Sequence, residues 1–329
     1  MDTSMVTIVG QTIVLLFLYI ALGFTLRKVG IIDDRVTQGL TGIFLLASLP
    51  GTILNSTLNQ VFDPELAMNI LIVFLTFIGG YLFFALLLLA IGKALKLHQS
   101  KIGIFAFAGA FGNIGLMGMP VVNGLWGSLG VFYAVVATLA YFVMLPTLGV
   151  WLSLRSADKS KLEGHTYKFR PNAALIAAII GLTYYFFQNF VPDAIVNIIR
   201  PAVIDGVGGG PVGLFIGGLA ATTTPISMIM IGSILANSKF SQAFKEFDIL
   251  VIAIMKLLAA PVIFLFILRL FITDPTLLGV LIILNAMPAA SLAAVYAEKY
   301  KADSAMASQA VVLTTLLSLF TIPLVAIFL

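Results

Sequence analysis

The sequence predicts an all-α integral membrane protein with ten transmembrane helices, arranged as two inverted five-helix repeats whose fourth and ninth helices are broken and cross. Three observations predict it. The 329-residue chain is 60% hydrophobic and only 10% charged, too little polar surface to cover so much apolar surface in water. Ten apolar stretches of spanning length can be marked off, at roughly 6–26, 36–58, 66–91, 102–126, 130–154, 172–190, 217–237, 247–271, 277–297 and 305–329. The cations are divided unequally between alternate connections: Arg27, Lys28, Arg35, Lys93, Lys96, Lys101, Arg155, Lys159, Lys161, Lys168, Arg170, Lys239, Lys245, Lys299 and Lys301 fall in one set, and only Arg200 and Arg269 in the other.

Within hydrocarbon every backbone amide needs an internal partner, so runs of ~20 apolar residues without barrel-strand alternation must be helices. The first run has no basic leader and is followed by Arg27 and Lys28, and therefore reads as a retained span rather than a signal peptide. By the positive-inside rule the cation-rich connections are cytoplasmic, and an even number of crossings then leaves both termini outside the cell membrane. The formal charge of +4 is spread thinly over those connections, where it meets anionic lipid headgroups rather than nucleic acid. With no cysteine, disulfides and thiolate chemistry are excluded.

The longest polar interruption, residues 155–171, links a first repeat at 1–154 to a second at 172–329. At an offset near 176, Pro50 aligns with Pro225, Gly112 with Pro288 and Pro146 with Pro323. Five spans per copy force opposite orientations, the plan of many secondary transporters; the alternative is a chance match among prolines, which are common in membrane helices. Between 191 and 217, Pro192, Pro201, Asp205 and the run from Gly206 to Gly213 break any period. This stretch reads either as outer-face connection or as an extension of the seventh span.

The fourth stretch carries Gly109, Gly112, Gly115, Gly118 and Pro120 within a few turns, which predicts unwinding near Gly112 and Asn113. In the ninth, Pro288 lies between Asn285 and Ser291 and predicts a second break. A half-helix that starts at such a break points its positive end into a protein-lined cavity and suits an anion. Asn113 can cap that half-helix and also donate to a carboxylate, or serve as a cap alone. Asn285 has the same two readings, the structural one being to satisfy the carbonyl freed by Pro288. Pro50 and Pro225 bend the second and seventh spans, with Thr222, Thr223 and Thr224 available to cover backbone groups.

Lys256 is the one ionisable residue well inside a stretch, about 14 Å of helix from its cytoplasmic edge. A charge there marks a site or pathway, or else snorkels, or pairs with carbonyls near a break. The fourteen acids all lie in connections or at span ends, which argues against a cation or proton antiporter and for an anionic substrate. His98 and His165 read as solvated surface residues. The sequence holds no paired-aspartate metal site, H-E-x-x-H or G-x-S-x-G motif, so it predicts no enzyme, metal or cofactor. Nor does a ring of charges suggest a channel. The candidate binding residues are Gly112, Asn113, Ile114, Lys256, Asn285, Pro288, Ala289, Ala290 and Ser291, with Pro50, Pro120, Pro225 and Pro288 as hinges.

Three segments carry a resemblance. Residues 113–120, N-I-G-L-M-G-M-P, and residues 287–303, M-P-A-A-S-L-A-A-V-Y-A-E-K-Y-K-A-D, resemble the broken fourth and ninth spans of the auxin efflux carrier family, and Pro171-Asn172 resembles the start of its sixth. The family covers plant PIN-type carriers and bacterial permeases for malate, malonate and related organic acids. The resemblance implies a scaffold of spans 1, 2, 6 and 7, a moving transport domain of spans 3–5 and 8–10, and substrate held where the breaks cross, at Gly112-Asn113 and Pro288-Ala289. Gly112 stands where the plant carriers have proline and Ala289 where they have a side-chain amide, and their long cytoplasmic insertion is missing. These departures favour a small carboxylate over auxin. The expected function is therefore secondary active or facilitative transport of a small organic anion such as malate, malonate or lactate by alternating access. The alternative is a sodium-coupled organic-anion symporter of bile-acid-symporter-like architecture. Expected partners are the anion and membrane lipid, with a homodimer left open and no nucleic acid.

Overall fold

An apolar chain of this kind can satisfy its backbone only locally, and in the computed structural model every regular element of the described residues, 3–157, 172–200, 209–237 and 243–329, is helical apart from one isolated bridge. In chain order these are α1 (Thr3–Lys28), α2 (Asp34–Leu58), α3 (Pro64–Ala94), α4 (Gln99–Ala110), α5 (Ile114–Arg155), α6 (Ala173–Phe190), α7 (Asp193–Ile199), α8 (Pro211–Asn237), α9 (Phe247–Leu268), α10 (Pro275–Asn285), α11 (Leu292–Lys299) and α12 (Ser304–Ile327). Helix starts are chemically marked. The side chains of Asp33, Asn172, Asp274 and Asp303 accept backbone amides of Val36, Leu175, Thr276 and Met306 at 2.8–2.9 Å, so three of the acids at span ends act as N-caps.

Eight of these helices, among the described residues, are long and apolar enough to cross a membrane. Two features separate that number from the ten stretches read in the sequence. The ninth stretch is two short helices, α10 and α11, because Pro288 has no amide to donate. The second half of the fourth stretch and all of the fifth share the 42-residue α5. A straight helix of that length would run about 63 Å, twice the hydrocarbon thickness. It is not straight. Gly127 has φ 59° and ψ −144°, a conformation closed to side chains, and a methyl on Gly130 would lie 2.8 Å from the carbonyl oxygen of Val122, so the chain doubles back there.

Prolines shape the remaining helices. Wide, i→i+5 turns occupy Phe44–Ser48, Ile114–Gly118 and Met255–Ala259, each ending two residues before Pro50, Pro120 or Pro261. Widening the turn gives the pyrrolidine ring room and rehouses the carbonyl that has lost its donor. Helix α8 is interrupted at Thr222, three residues ahead of Pro225. The uncertain stretch at 191–217 contains α7 and the first turns of α8, which starts at Pro211 and so lengthens the seventh span. Residues 158–171, with most of the linker, Lys159, Lys161, Lys168, Arg170, His165 and Pro171, lie outside the described residues, as do 201–208, with Pro201 and Asp205, and Lys239.

The chain divides into two compact units. The first comprises Met1–Val73, Gly115–Leu139 and Arg170–Asn237. Its centre is the contact of α1 with α8, where glycines bring two backbones together: a methyl on Gly23 would strike Ile229, and one on Gly232 would strike the carbonyl oxygen of Ile20. At their bends α2 and α8 are joined by hydroxyls. Ser48 and Thr222 share a hydrogen bond of 2.7 Å, and Thr223 donates to the carbonyl of Ser48 at 2.9 Å.

The second unit comprises Phe74–Ile114, Ala140–Phe169 and Ser238–Leu329. Here the amide of Gly103 in α4 donates to Ser156 Oγ at 2.6 Å, and Lys101 Nζ lies 2.9 Å from Asp248 and 3.8 Å from Glu246. A cluster of Tyr81, Phe107, Phe111 and Tyr141 surrounds the end of α4, with Phe111 stacked on Tyr81 at 4.7 Å.

The backbone approach at Gly232 sets a testable limit. Gly232→Val is expected to destabilise the fold by roughly 1–3 kcal/mol, as overpacking of a rigid contact does. Gly218→Ala, which meets nothing within 4 Å, serves as the control and leaves the thermal unfolding midpoint in detergent unchanged.

Candidate functional site

Helix α4 stops at Ala110 because the next residues turn extended: Phe111 has φ −87° and ψ 125°. Helix α10 stops at Asn285, three residues ahead of Pro288, whose ring also disfavours helical backbone at Met287. The two extended pieces lie against each other as an antiparallel bridge that pairs Gly112 with Ala289. The amide of Asn113 donates to the carbonyl of Pro288 at 2.8 Å, and that of Ala290 donates to the carbonyl of Phe111 at 2.9 Å. Such flanking bonds leave Gly112 and Ala289 as the close, non-hydrogen-bonded pair, with Cα atoms typically about 4.5 Å apart, a spacing that suits glycine and alanine. Ala289 donates its own amide sideways to Thr314 Oγ1 in α12, at 3.1 Å.

The breaks expected at Gly112-Asn113 and Pro288 are therefore brought together, and most of the candidate residues with them. Gly112, Ile114, Asn285, Pro288, Ala289 and Ala290 are buried. Asn113 is half-buried and Ser291 exposed, and Asn113 Nδ2 donates to Ser291 Oγ across 3.4 Å. Asn113 directly precedes the first turn of α5, and Ser291 the first turn of α11. Two helix N-termini thus converge on the pair of candidates that reach the surface. Ser291 makes no side-chain bond that caps α11.

Asn285 makes a bond other than the one expected to the carbonyl freed by Pro288. Its amide donates to the carbonyl of Leu281, within its own helix, at 2.9 Å. Lys256, only 3% exposed, lies in the wide turn of α9 and donates from Nζ to the carbonyl of Ala110 at 3.2 Å. It thus pairs with a carbonyl at a break, one of its sequence readings, and its nitrogen faces the negative end of α4. A methyl on Gly112 would lie 3.2 Å from Nζ, so the lysine sits directly against the bridge. Pro50, Pro120 and Pro225 belong to the first unit and are not part of this crossing.

The first unit holds a polar cavity of its own, about 210 Å³, lined by Thr52, Asn55, Ser56, Asn123, Ser128 and small residues of α8. The sequence reading passed over it. The signal was available, since Asn55 and Asn123 are carboxamides inside apolar spans just as Asn113 is.

A profile of a membrane transport protein family, the auxin efflux carriers, matches residues 8–171 and 173–326. The chain belongs to this family. It is similar to an uncharacterized transporter from Methanocaldococcus jannaschii, 23% identical over 318 residues that cover 95% of this chain and 96% of the relative. A second uncharacterized transporter, from Methanothermobacter thermautotrophicus, is 24% identical over 321 residues, again 95% and 96% of the two chains. Membership in a membrane transport family agrees with the apolar helices. Thr314, which the sequence reading had not singled out, satisfies the backbone of the bridge.

Removing that hydroxyl tests the crossing. Thr314→Val keeps the shape of the side chain and leaves the buried amide of Ala289 unpaired, with an expected loss of about 1–3 kcal/mol in stability. Thr314→Ser is expected to retain most of it, and thermal unfolding of the two variants in detergent separates them.

Proposed function

We propose that this protein moves a small organic anion, a carboxylate such as malate, malonate or lactate, across the cell membrane by alternating access. The observation that carries the proposal is the convergence of two half-helix N-termini, at Asn113 and Ser291, on one accessible polar spot. Unsatisfied amides and the aligned peptide dipoles give such ends a positive potential, and in a medium of low dielectric they favour a carboxylate without a full countercharge. Among the described residues no group of three or more His, Cys, Asp or Glu side chains is gathered that could hold a metal cation. The acids of the sequence lie at helix ends and in connections, several of them already engaged as caps.

In this reading the chain crosses the membrane ten times, the doubled-back α5 making two crossings and the interrupted pairs α4–α5 and α10–α11 one each. Residues 1–154 and 172–329 are the two inverted copies. Spans 3–5 and 8–10 carry the crossing as a moving body against a scaffold of spans 1, 2, 6 and 7. The cation-rich connections face the cytoplasm and both termini face outward. The crossing supports this plan because α4 and α10, of 12 and 11 residues, each reach only about half way through hydrocarbon before their breaks.

The test is counterflow of labelled malate, malonate and lactate in proteoliposomes. Saturable exchange of at least one is expected, and failure of all three removes the substrate class. Asn113→Ala is expected to weaken binding of the exchanged acid about tenfold, the equivalent of one charge-assisted hydrogen bond. The readout is loss of the ligand-induced rise in unfolding temperature; a full rise in the variant reduces Asn113 to a structural cap.

A further inference from the structure

We propose that Lys256 is a proton site: it takes up a proton as the carboxylate binds at the crossing and releases it when the carboxylate leaves, so that anion and proton cross together. This rests on the organic-anion reading and adds the coupling ion to it.

Burial and partners carry the inference. Lys256 is 3% exposed, and its one hydrogen bond given by the structure is to the carbonyl of Ala110. A carbonyl dipole serves an amine as well as an ammonium, since either form has an N–H to donate. No ion pair of Lys256 exists among the described residues. Charge at such a place is unfavourable unless an opposite charge is near. The helix end at Ala110 supplies part of that compensation. A carboxylate held at Asn113 and Ser291 would supply the rest, because Nζ sits against Gly112, the residue before Asn113.

The surroundings provide no competing group at close range. Helices α4 and α12 pack on the wide turn of α9; α4 carries Lys101 alone among titratable residues and α12 carries none. Lys101 is itself paired with Asp248 and Glu246 at the start of α9, eight residues from Lys256 in the case of Asp248, or about 12 Å of helix. Helix α10, which packs on the second half of α9, has no titratable side chain. Helix α3, in contact with α9 through Phe84 and Phe264, contributes Tyr81 and Lys93 within this unit, and Tyr81 stacks on Phe111 beside Tyr141.

The proton balance is simple. The amine and a proton from the side of entry give the ammonium; on the opposite side the ammonium returns to the amine and the proton passes to water. A monoanion such as lactate and one proton carry no net charge, so an inside-negative potential would no longer oppose uptake; a malate or malonate dianion with one proton would still carry one negative charge.

The experiment loads proteoliposomes with a pH-sensitive dye and follows whichever of malate, malonate and lactate shows saturable counterflow. It is run well above the acid's own protonation range, so that the proton cannot ride on the substrate. For wild type the expected ratio of protons to carboxylates is near one. Lys256→Gln keeps an N–H for Ala110 but cannot titrate, and its expected ratio falls to near zero whatever its rate. Proton uptake on carboxylate binding, measured by calorimetry of the detergent-solubilised wild type and of Lys256→Gln in two buffers of different ionisation enthalpy, gives the same answer without transport. Carboxylate movement or binding by wild type with no proton, or an unchanged ratio in the glutamine variant, overturns the proton site and leaves the anion reading standing. Absence of any carboxylate counterflow overturns both.

Discussion

The fold depends on two interrupted helices completing each other's backbone. An amide or carbonyl left unpaired in hydrocarbon costs several kcal/mol, and neither break could meet that cost by itself. The bridge meets it reciprocally: Asn113 donates to Pro288 and Ala290 donates to Phe111. Thr314 closes the remaining amide of Ala289, and the ring of Phe111 is clasped by Tyr81, Phe107 and Tyr141. Withdrawing either extended segment strands the polar groups of the other. The crossing is therefore a cooperative unit, and its small residues follow from the approach of the two backbones.

The same arrangement sorts four helix ends by sign. The negative end of α4 is covered by the buried side-chain nitrogen of Lys256, and the last turn of α10 by the carboxamide of Asn285 and by its own following amide, Ala286 to Ile282. The positive ends of α5 and α11 are preceded instead by Asn113 and Ser291, which reach the surface. Donors have been spent on the carbonyl ends, and the amide ends face outward.

Much of this was legible in the residues. Glycine and proline content placed both breaks to within a residue or two, since Gly112 and Pro288 act locally and leave a helix no alternative. The lone intramembrane lysine also advertised itself by composition. What the residues could not say was the partner of each group. Asn285 lies beside a break and is positioned to serve it, yet it bonds one turn back to Leu281, a choice made by rotamer and packing. Thr314 looks like any hydroxyl in an apolar helix until α12 is placed beside the bridge. The two-for-one use of α5 was half visible: the apolar stretches 102–126 and 130–154 were marked off with three residues between them, and the turn centres on Gly127, with its positive φ.

Pro261 links the local chemistry of the chain to the position of its buried charge. Two residues before it, the helix opens into the wide turn Met255–Ala259, which admits one residue more than an α-helical turn would. One extra residue turns the downstream face of a helix by about 100° relative to the part before it. Lys256 stands inside that turn, where the backbone is already displaced, and from there its side chain spans to the last carbonyl of α4. The proline lies five residues from the lysine and the glycine directly against it, and on both sides the backbone leaves room for the Lys256 side chain beside the bridge.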